Sequence, residues 1–202
     1  MDKLYTAIDE HLLKDTKPSR FLNEIYDNDK FSQKPFDMLW RLRQVEQSPK
    51  YHREGHVWNH TMLVLDEAAK VREKSRDKKV FMWASLLHDI GKATTTKIRK
   101  GRITAYGHDL EGARLTKEFL SHFTEDTLFI NKVANLVRYH MHILYVLKDL
   151  PFADMEGLKR DTDVYEVALL GFCDRLGRLD TDPKKERANI ESFLEKVQGK
   201  GV

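Results

Sequence analysis

Apolar residues recur along most of this chain at intervals of three and four, the period of an amphipathic α-helix. Residues 3–14 and 19–28 predict two short helices, and 35–47 a third. The segment SPKYHREGH interrupts the pattern, with Pro49 and Gly55 as breakers. A helix over 57–75 follows, with Leu63, Val64, Ala68 and Val71 as its apolar stripe. Residues 78–90 predict a mostly apolar helix, with Gly91 where a C-terminal cap belongs. TTTKIRKGRITAYG departs from the helical period. Its β-branched residues flank Lys100 and Gly101, which predicts a short hairpin near 95–106. Helices resume over 109–123 and 126–142, a loop contains Pro151, and further helices cover 162–180 and 183–198. The expected fold is all-α: a helical bundle over 51–202 with a C-terminal helix, and residues 1–50 as a helical extension packed on it.

Composition narrows the setting more than the chemistry. Hydrophobic residues make up 41% and charged residues 33%, an ordinary soluble profile. No apolar run approaches the roughly 18 residues that a membrane span needs. The N-terminus carries no cleavable apolar stretch. The single Cys173 fits a reducing compartment, so a cytoplasmic location is expected. The net charge of +3 is compatible with phosphate-bearing ligands. The stretch KIRKGR (97–102) reads either as a solvated loop or as a contact for phosphate or nucleic acid.

The candidate chemistry lies where polar residues break apolar faces. His88 and Asp89 close the stretch VFMWASLLHD, yet nine histidines in 202 residues make about one His-Asp pair by chance, and His108-Asp109 is a second. His88 shares a face with Phe81 and Ala84, where a metal ligand or a hydrogen-bonded core histidine would both sit. Taken alone, the core histidine is the commoner case. The anomaly recurs, however. His60 shares the face of Leu63, Val64 and Val71; His140 that of Val133, Leu136 and Val137; and Asp174 that of Val167, Leu170 and Gly171. A buried carboxylate is costly unless paired or bound to a cation. One divalent ion would neutralise the carboxylates and engage the imidazole lone pairs. Mixed imidazole and carboxylate donors suit Mn, Fe, Co, Ni, Zn or Mg without choosing among them.

The order His60, His88-Asp89, Asp174 resembles the H…HD…D signature of the HD superfamily of metal-dependent phosphohydrolases. The segments YHREGHVWNHTMLVLDEAA (51–69), ASLLHDIGK (84–92), GRITAYGHDLEGA (101–113) and DRLGR (174–178) are similar to the HD domain of bacterial CCA-adding tRNA nucleotidyltransferases. The resemblance implies a helical bundle around a metal held by His60, His88, Asp89 and Asp174. It implies that His108 and His140 match the extra histidines of members holding two metals, with Asp89 bridging. It also implies that Lys92 matches a lysine contacting the scissile phosphate, and Arg178 the arginine of a D-x-x-G-R stretch. Lys92 reads equally well as a lysine favourably placed at a helix C-terminus. Arg178, one turn beyond Asp174, would bind substrate phosphate or pair with an acidic neighbour. Residue 56 is a histidine where the related sequences carry an acid, and His56 is expected to be peripheral. No glycine-rich loop with paired acids precedes the bundle, so residues 1–50 are not expected to add CCA.

The expected function is hydrolysis of a phosphoester of a nucleotide or nucleic acid, by phosphodiesterase or phosphatase chemistry, with 2′,3′-cyclic nucleotides implied by the resemblance. Asp89 and Lys92 are the expected catalytic residues, and His108, His140 and Arg178 the expected substrate contacts. Two alternatives stay open. One is a two-metal hydrolase of a dinucleotide using His108 and His140. The other is a metal-containing nucleotide- or RNA-binding module without catalysis.

Overall fold

A computed structural model describes residues 2–199. Helix α1 (Asp2–Lys14) and α2 (Pro18–Ile25) open the chain; α3 (Asp37–Trp40) runs on into a 3-10 turn over Arg41–Gln44. The bundle follows with α4 (Val57–Val71), α5 (Lys78–Leu87), the one-turn α6 (Lys92–Thr95), α7 (His108–Ser121) and α8 (Thr127–Tyr139). It closes with α9 (His142–Leu147), α10 (Met155–Asp161), α11 (Val164–Leu176) and α12 (Pro183–Gln198). The fold is all-α apart from one antiparallel hairpin, β1 (Lys97–Arg99) and β2 (Arg102–Thr104), registered Ile98 to Ile103. Lys100 and Gly101 both take positive φ, 48° and 74°, the requirement of the tight hairpin turn whose twist matches its strands.

Helices α4, α5, α8 and α11 pack around one continuous apolar core that includes Trp58, Val64, Phe81, Leu87, Val133, Val137, Val167 and Leu170. The first two helices seal it. Helix α1 lies on α5 and α2 on α4. The buried indoles are satisfied across these contacts: Trp83 Nε1 donates to Asp9 Oδ1 (2.7 Å) and Trp58 Nε1 to Asn23 Oδ1 (2.8 Å). Arg72 donates to the carbonyls of Leu12, Lys14 and Asp15, closing the C-terminal end of α1 with a cation. Aspartates cap helix starts at Asp77, Asp126, Asp154, Asp163 and Asp182, each accepting a backbone N–H of the first turn.

Three details depart from the sequence expectation. Gly91 is not a left-handed cap; its φ is −65°. It is small because α7 passes over it: a Cβ there would lie 2.1 Å from the His108 carbonyl oxygen and 2.6 Å from the Gly112 nitrogen. The segment after Gly91 contains the one-turn helix α6 before the hairpin begins. The helix expected over 126–142 breaks at His140, and the expected loop around Pro151 holds α9 and α10, the latter started by the Asp154 cap.

Candidate metal centre

The polar residues that break the apolar faces converge at one end of the core. His60 comes from the first half of α4 and Asp174 from the last turn of α11, while His88 caps the end of α5 with Asp89 in the turn beyond. His108 starts α7 behind Gly107, whose φ of 72° turns the chain into the helix, and His140 caps the end of α8. His60, His88, Asp89, His140 and Asp174 are all buried, and so is His108.

The rings are held in one orientation. Nδ1 of His88, His108 and His140 lies 2.9, 2.7 and 2.6 Å from the carbonyl oxygens of Ser85, Ala105 and Val137. A carbonyl only accepts, so Nδ1 carries the proton in each ring and Nε2 presents its lone pair. Ser85 and Val137 lie in the last turns of α5 and α8, where a helix leaves carbonyls without intrahelical partners. Each helix end therefore supplies the acceptor that fixes its own histidine. Nδ1 of His60 faces Glu54 Oε1 at 2.9 Å, which turns His60 Nε2 toward Asp174 Oδ1, also at 2.9 Å.

Two groups of donors open on the cleft: His60, His88 and Asp174 make the first, and Asp89, His108 and His140 the second; a third, His52, Glu54 and His60, lies behind the first. Asp89 stands between the first two. Asp89 Oδ2 faces the first group, 3.3 Å from His88 Nε2 and 3.9 Å from His60 Nε2. Asp89 Oδ1 faces the second, 3.5 Å from His108 Nε2 and 3.8 Å from His140 Nε2. Ligand atoms about 2.1 Å from a common ion stand about 3 to 4 Å apart, which is the spacing present. His88 Nε2 is buried without a hydrogen-bond partner. A buried acceptor of this kind is rare and costly. The donor set therefore fits a divalent cation.

Charge at the centre is arranged in the same sense. Burial pushes the Asp89 carboxyl up, but the Lys92 ammonium and the neighbouring histidines outweigh it and hold Asp89 well below the usual carboxylate range. Asp174 is likewise raised by burial and held well below that range by Arg178 and His60. Burial, reinforced by His108 and His88, pushes His140 down to about 4, and burial lowers His108. His60 goes the other way: burial lowers it, but Asp174 and Glu54 on either side outweigh this and raise it. The carboxylates are thus held ionised and His108 and His140 neutral, the protonation states that a metal requires, while His60 must release a proton as a metal binds.

Lys92 reaches inward rather than serving a helix terminus. Its Nζ lies 2.7 Å from Asp89 Oδ2 and donates to Gln47 Oε1 at 2.7 Å. Arg178 donates through Nη2 to both oxygens of Asp174 (3.2 and 3.0 Å), so an acidic neighbour is what it meets. Asp89, Lys92, His108, His140, Asp174 and Arg178 all line one open cleft of about 570 Å³. His56 stands outside the cleft lining and all three donor groups.

Glu54, His52 and Gln47 belong to this site, and no periodic signal marks them. His52, which carries no telling spacing in the sequence, lines the cleft and sets its Nδ1 2.8 Å from Glu54 Oε1. Glu54 is buried beneath His60, brought there by Gly55, whose φ of 91° reverses the chain before α4. A glycine one residue ahead of a helix's flanking residue was the only available cue.

Comparison with known proteins agrees with this geometry. The family model described as "HD domain" matches residues 57–179. Relatives named multifunctional CCA protein include those of Acidovorax sp. (strain JS42), 29% identical over 78% of this chain and 38% of the relative, and of Methylococcus capsulatus, 28% identical over 90% of this chain and 37% of the relative. The Pasteurella multocida protein of the same name is 33% identical over 54% of this chain and 26% of its own length. The chain thus spans well under half the length of these relatives. No helix among the described residues is long and apolar enough to cross a membrane. The chain belongs to the HD domain family, within the superfamily of metal-dependent phosphohydrolases, and its cofactor is a divalent metal ion.

Proposed function

We propose that this chain hydrolyses a phosphoester of a nucleotide or nucleic acid, by phosphodiesterase or phosphatase chemistry, in the cytoplasm. The observation that carries the reading is the set of four histidines, three held at Nδ1 by backbone carbonyls and His60 with its Nδ1 2.9 Å from Glu54, all with Nε2 turned to Asp89 or Asp174, opening on a cleft that also holds Lys92 and Arg178. His60, His88, Asp89 and Asp174 are the proposed ligands. A divalent ion bound there supplies Lewis acidity and makes hydroxide available near neutral pH.

The chain's own groups do the rest. The Asp89 carboxylate, kept ionised by Lys92, is the acceptor for a proton released at the centre. Lys92 places a fixed positive charge beside the reacting phosphoryl group, where charge develops during displacement. Arg178 leaves Asp174 in part to meet a phosphate oxygen, and His108 and His140 line the same cleft as substrate contacts. Residues 1–50 act as a helical extension that seals the HD domain, taken as 51–202. The relatives' name supports a tRNA-linked substrate, a 2′,3′-cyclic phosphate among them, and Lys97, Arg99, Lys100 and Arg102 on the hairpin suit contact with RNA.

A second reading has its own support. The two oxygens of Asp89 face different donor groups, as a bridging carboxylate would, which favours a two-metal hydrolase. Elemental analysis joined to a phosphoester screen with Mn, Ni, Co or Mg added separates the cases. One ion per chain with hydrolysis supports the first reading. Two ions, falling to one in His140→Ala, support the second. Metal-loaded protein that hydrolyses nothing across the panel leaves a nucleotide-binding module instead.

A further inference from the structure

The cleft is lined by two kinds of side chain. One is the donor cluster with Lys92 and Arg178. The other is apolar and aromatic, and it exposes what folding normally hides. Tyr106 is 73% exposed, Phe152 59% and Leu110 57%, and all three line the same cleft as the metal donors. Large apolar side chains gathered at one opening mark a ligand surface more often than chance exposure.

The aromatic lining is built rather than loose. Phe152 packs on Tyr145 with ring centroids 5.6 Å apart. Tyr145 and the buried Asp109, which Arg138 holds at 2.8 Å, line the same cleft. In the second His-Asp pair of the sequence, His108 turns to the donor cluster and Asp109 pairs with Arg138. Tyr106 enters from the segment before α7, separated from His108 only by Gly107. Two residues span at most about 7 Å of backbone, so the exposed ring and a donor histidine come from one short stretch of the same cleft lining.

We propose that the apolar lining of the cleft is a nucleobase subsite, where the base of a nucleotide stacks on Tyr106 and Phe152 while its phosphate lies at the histidine–aspartate cluster. Charge matches shape: the phosphate meets Lys92 and Arg178, and the uncharged π-face meets rings that carry no charge. The subsite rests on the phosphohydrolase reading only for the seat of the phosphate. The stacking platform holds a base whether or not hydrolysis follows. A free nucleotide and the terminal nucleotide of a single-stranded RNA present the same chemistry.

Calorimetric titration of the metal-stripped, full-length protein tests this without turnover. Adenosine 5′-monophosphate and ribose 5-phosphate differ only in the base. The nucleotide is expected to bind at least about tenfold more tightly, and Tyr106→Ala or Phe152→Ala to remove about tenfold from the nucleotide while leaving ribose 5-phosphate unchanged. Tyr106→Phe should retain the nucleotide affinity. A short RNA that binds tenfold more tightly than the mononucleotide, with the same dependence on Tyr106, assigns the subsite to a chain terminus. Equal affinity for the two phosphates, no binding of either, or equal losses in the alanine variants overturns the subsite. Hydrolysis of nucleotide and ribose phosphate at the same rate would overturn the subsite and leave the phosphohydrolase standing. Tight nucleotide binding with no hydrolysis of any phosphoester would do the reverse.

Discussion

Glu54 lies behind His60, outside the cleft lining, and is expected to set metal affinity. Its Oε1 lies 2.9 Å from His60 Nδ1 and 2.8 Å from His52 Nδ1, in a buried position. Burial raises its carboxyl, but the bonds from His52 and His60 outweigh this and hold it well below the usual range, so it is a fixed negative charge. That charge orients the His60 ring and strengthens Nε2 as a donor, the role of a carboxylate behind a metal-bound histidine. Loss of such a partner typically weakens metal binding about 10- to 100-fold, or roughly 1.4 to 2.7 kcal/mol. Glu54→Ala should reach the upper end. Glu54→Gln keeps an amide oxygen for His60 but loses the charge, and should fall near tenfold. In metal-free protein, Glu54→Ala also removes the carboxylate 2.9 Å from the buried His60 Nδ1, a cost of about 1 to 3 kcal/mol. At roughly 2 to 4 °C per kcal/mol for a chain of this size, Tm should drop by several degrees. Competition of Mn or Ni between the protein and a chelator reads affinity, and circular dichroism reads fold and Tm. A folded Glu54→Ala protein that binds metal as tightly as the wild type would refute the role given to this carboxylate.

Two further outcomes follow from the packing. Gly91→Ala would drive a methyl into the backbone of α7 at His108 and Gly112, so thermal melting should show a loss of about 2 kcal/mol or more together with weaker metal binding; an unchanged Tm would contradict the close approach. Tyr5 is sandwiched between Trp83 and Phe123, with centroids 4.8 and 4.6 Å away, and burial, followed by Asp9, pushes its phenol up from 10 to about 12. Because the folded value lies above the unfolded one, its contribution is complete below pH 10 and is lost as pH rises from 10 toward 12. Urea midpoints measured from pH 8 to 11 should fall less steeply for Tyr5→Phe than for the wild type, and parallel curves would count against that burial.

How much of this was legible in the chain depends on periodicity. His60, His88, His140 and Asp174 stood out because each interrupts an apolar helix face, and the fold brings all four to one end of the core. The hairpin was legible from a turn pair, Lys100-Gly101, between β-branched residues. Glu54, His52 and Gln47 lie in irregular segments, where no period relates a residue to the site and only tertiary contact places it. Gly91 reads as a cap in sequence, whereas its reason is the backbone of a helix that begins 17 residues later. Helices α9 and α10, of 6 and 7 residues, are shorter than the window over which a helical period becomes visible, although Asp154 carries the capping signal of the second. That Asp89 bridges was implied by the resemblance alone and by no periodicity; the folded turn supplies the geometry, with its two oxygens facing separate histidine groups.

The most direct test of the central claim is the rate at which metal-loaded wild-type and Asp89→Ala proteins hydrolyse the best phosphoester from the screen, with matched far-UV circular dichroism as the check on folding. Asp89 stands between the two donor groups of the cleft and is buried beside Lys92. The account predicts a loss of at least about 100-fold in kcat/KM. A folded Asp89→Ala protein that retains wild-type activity would contradict it.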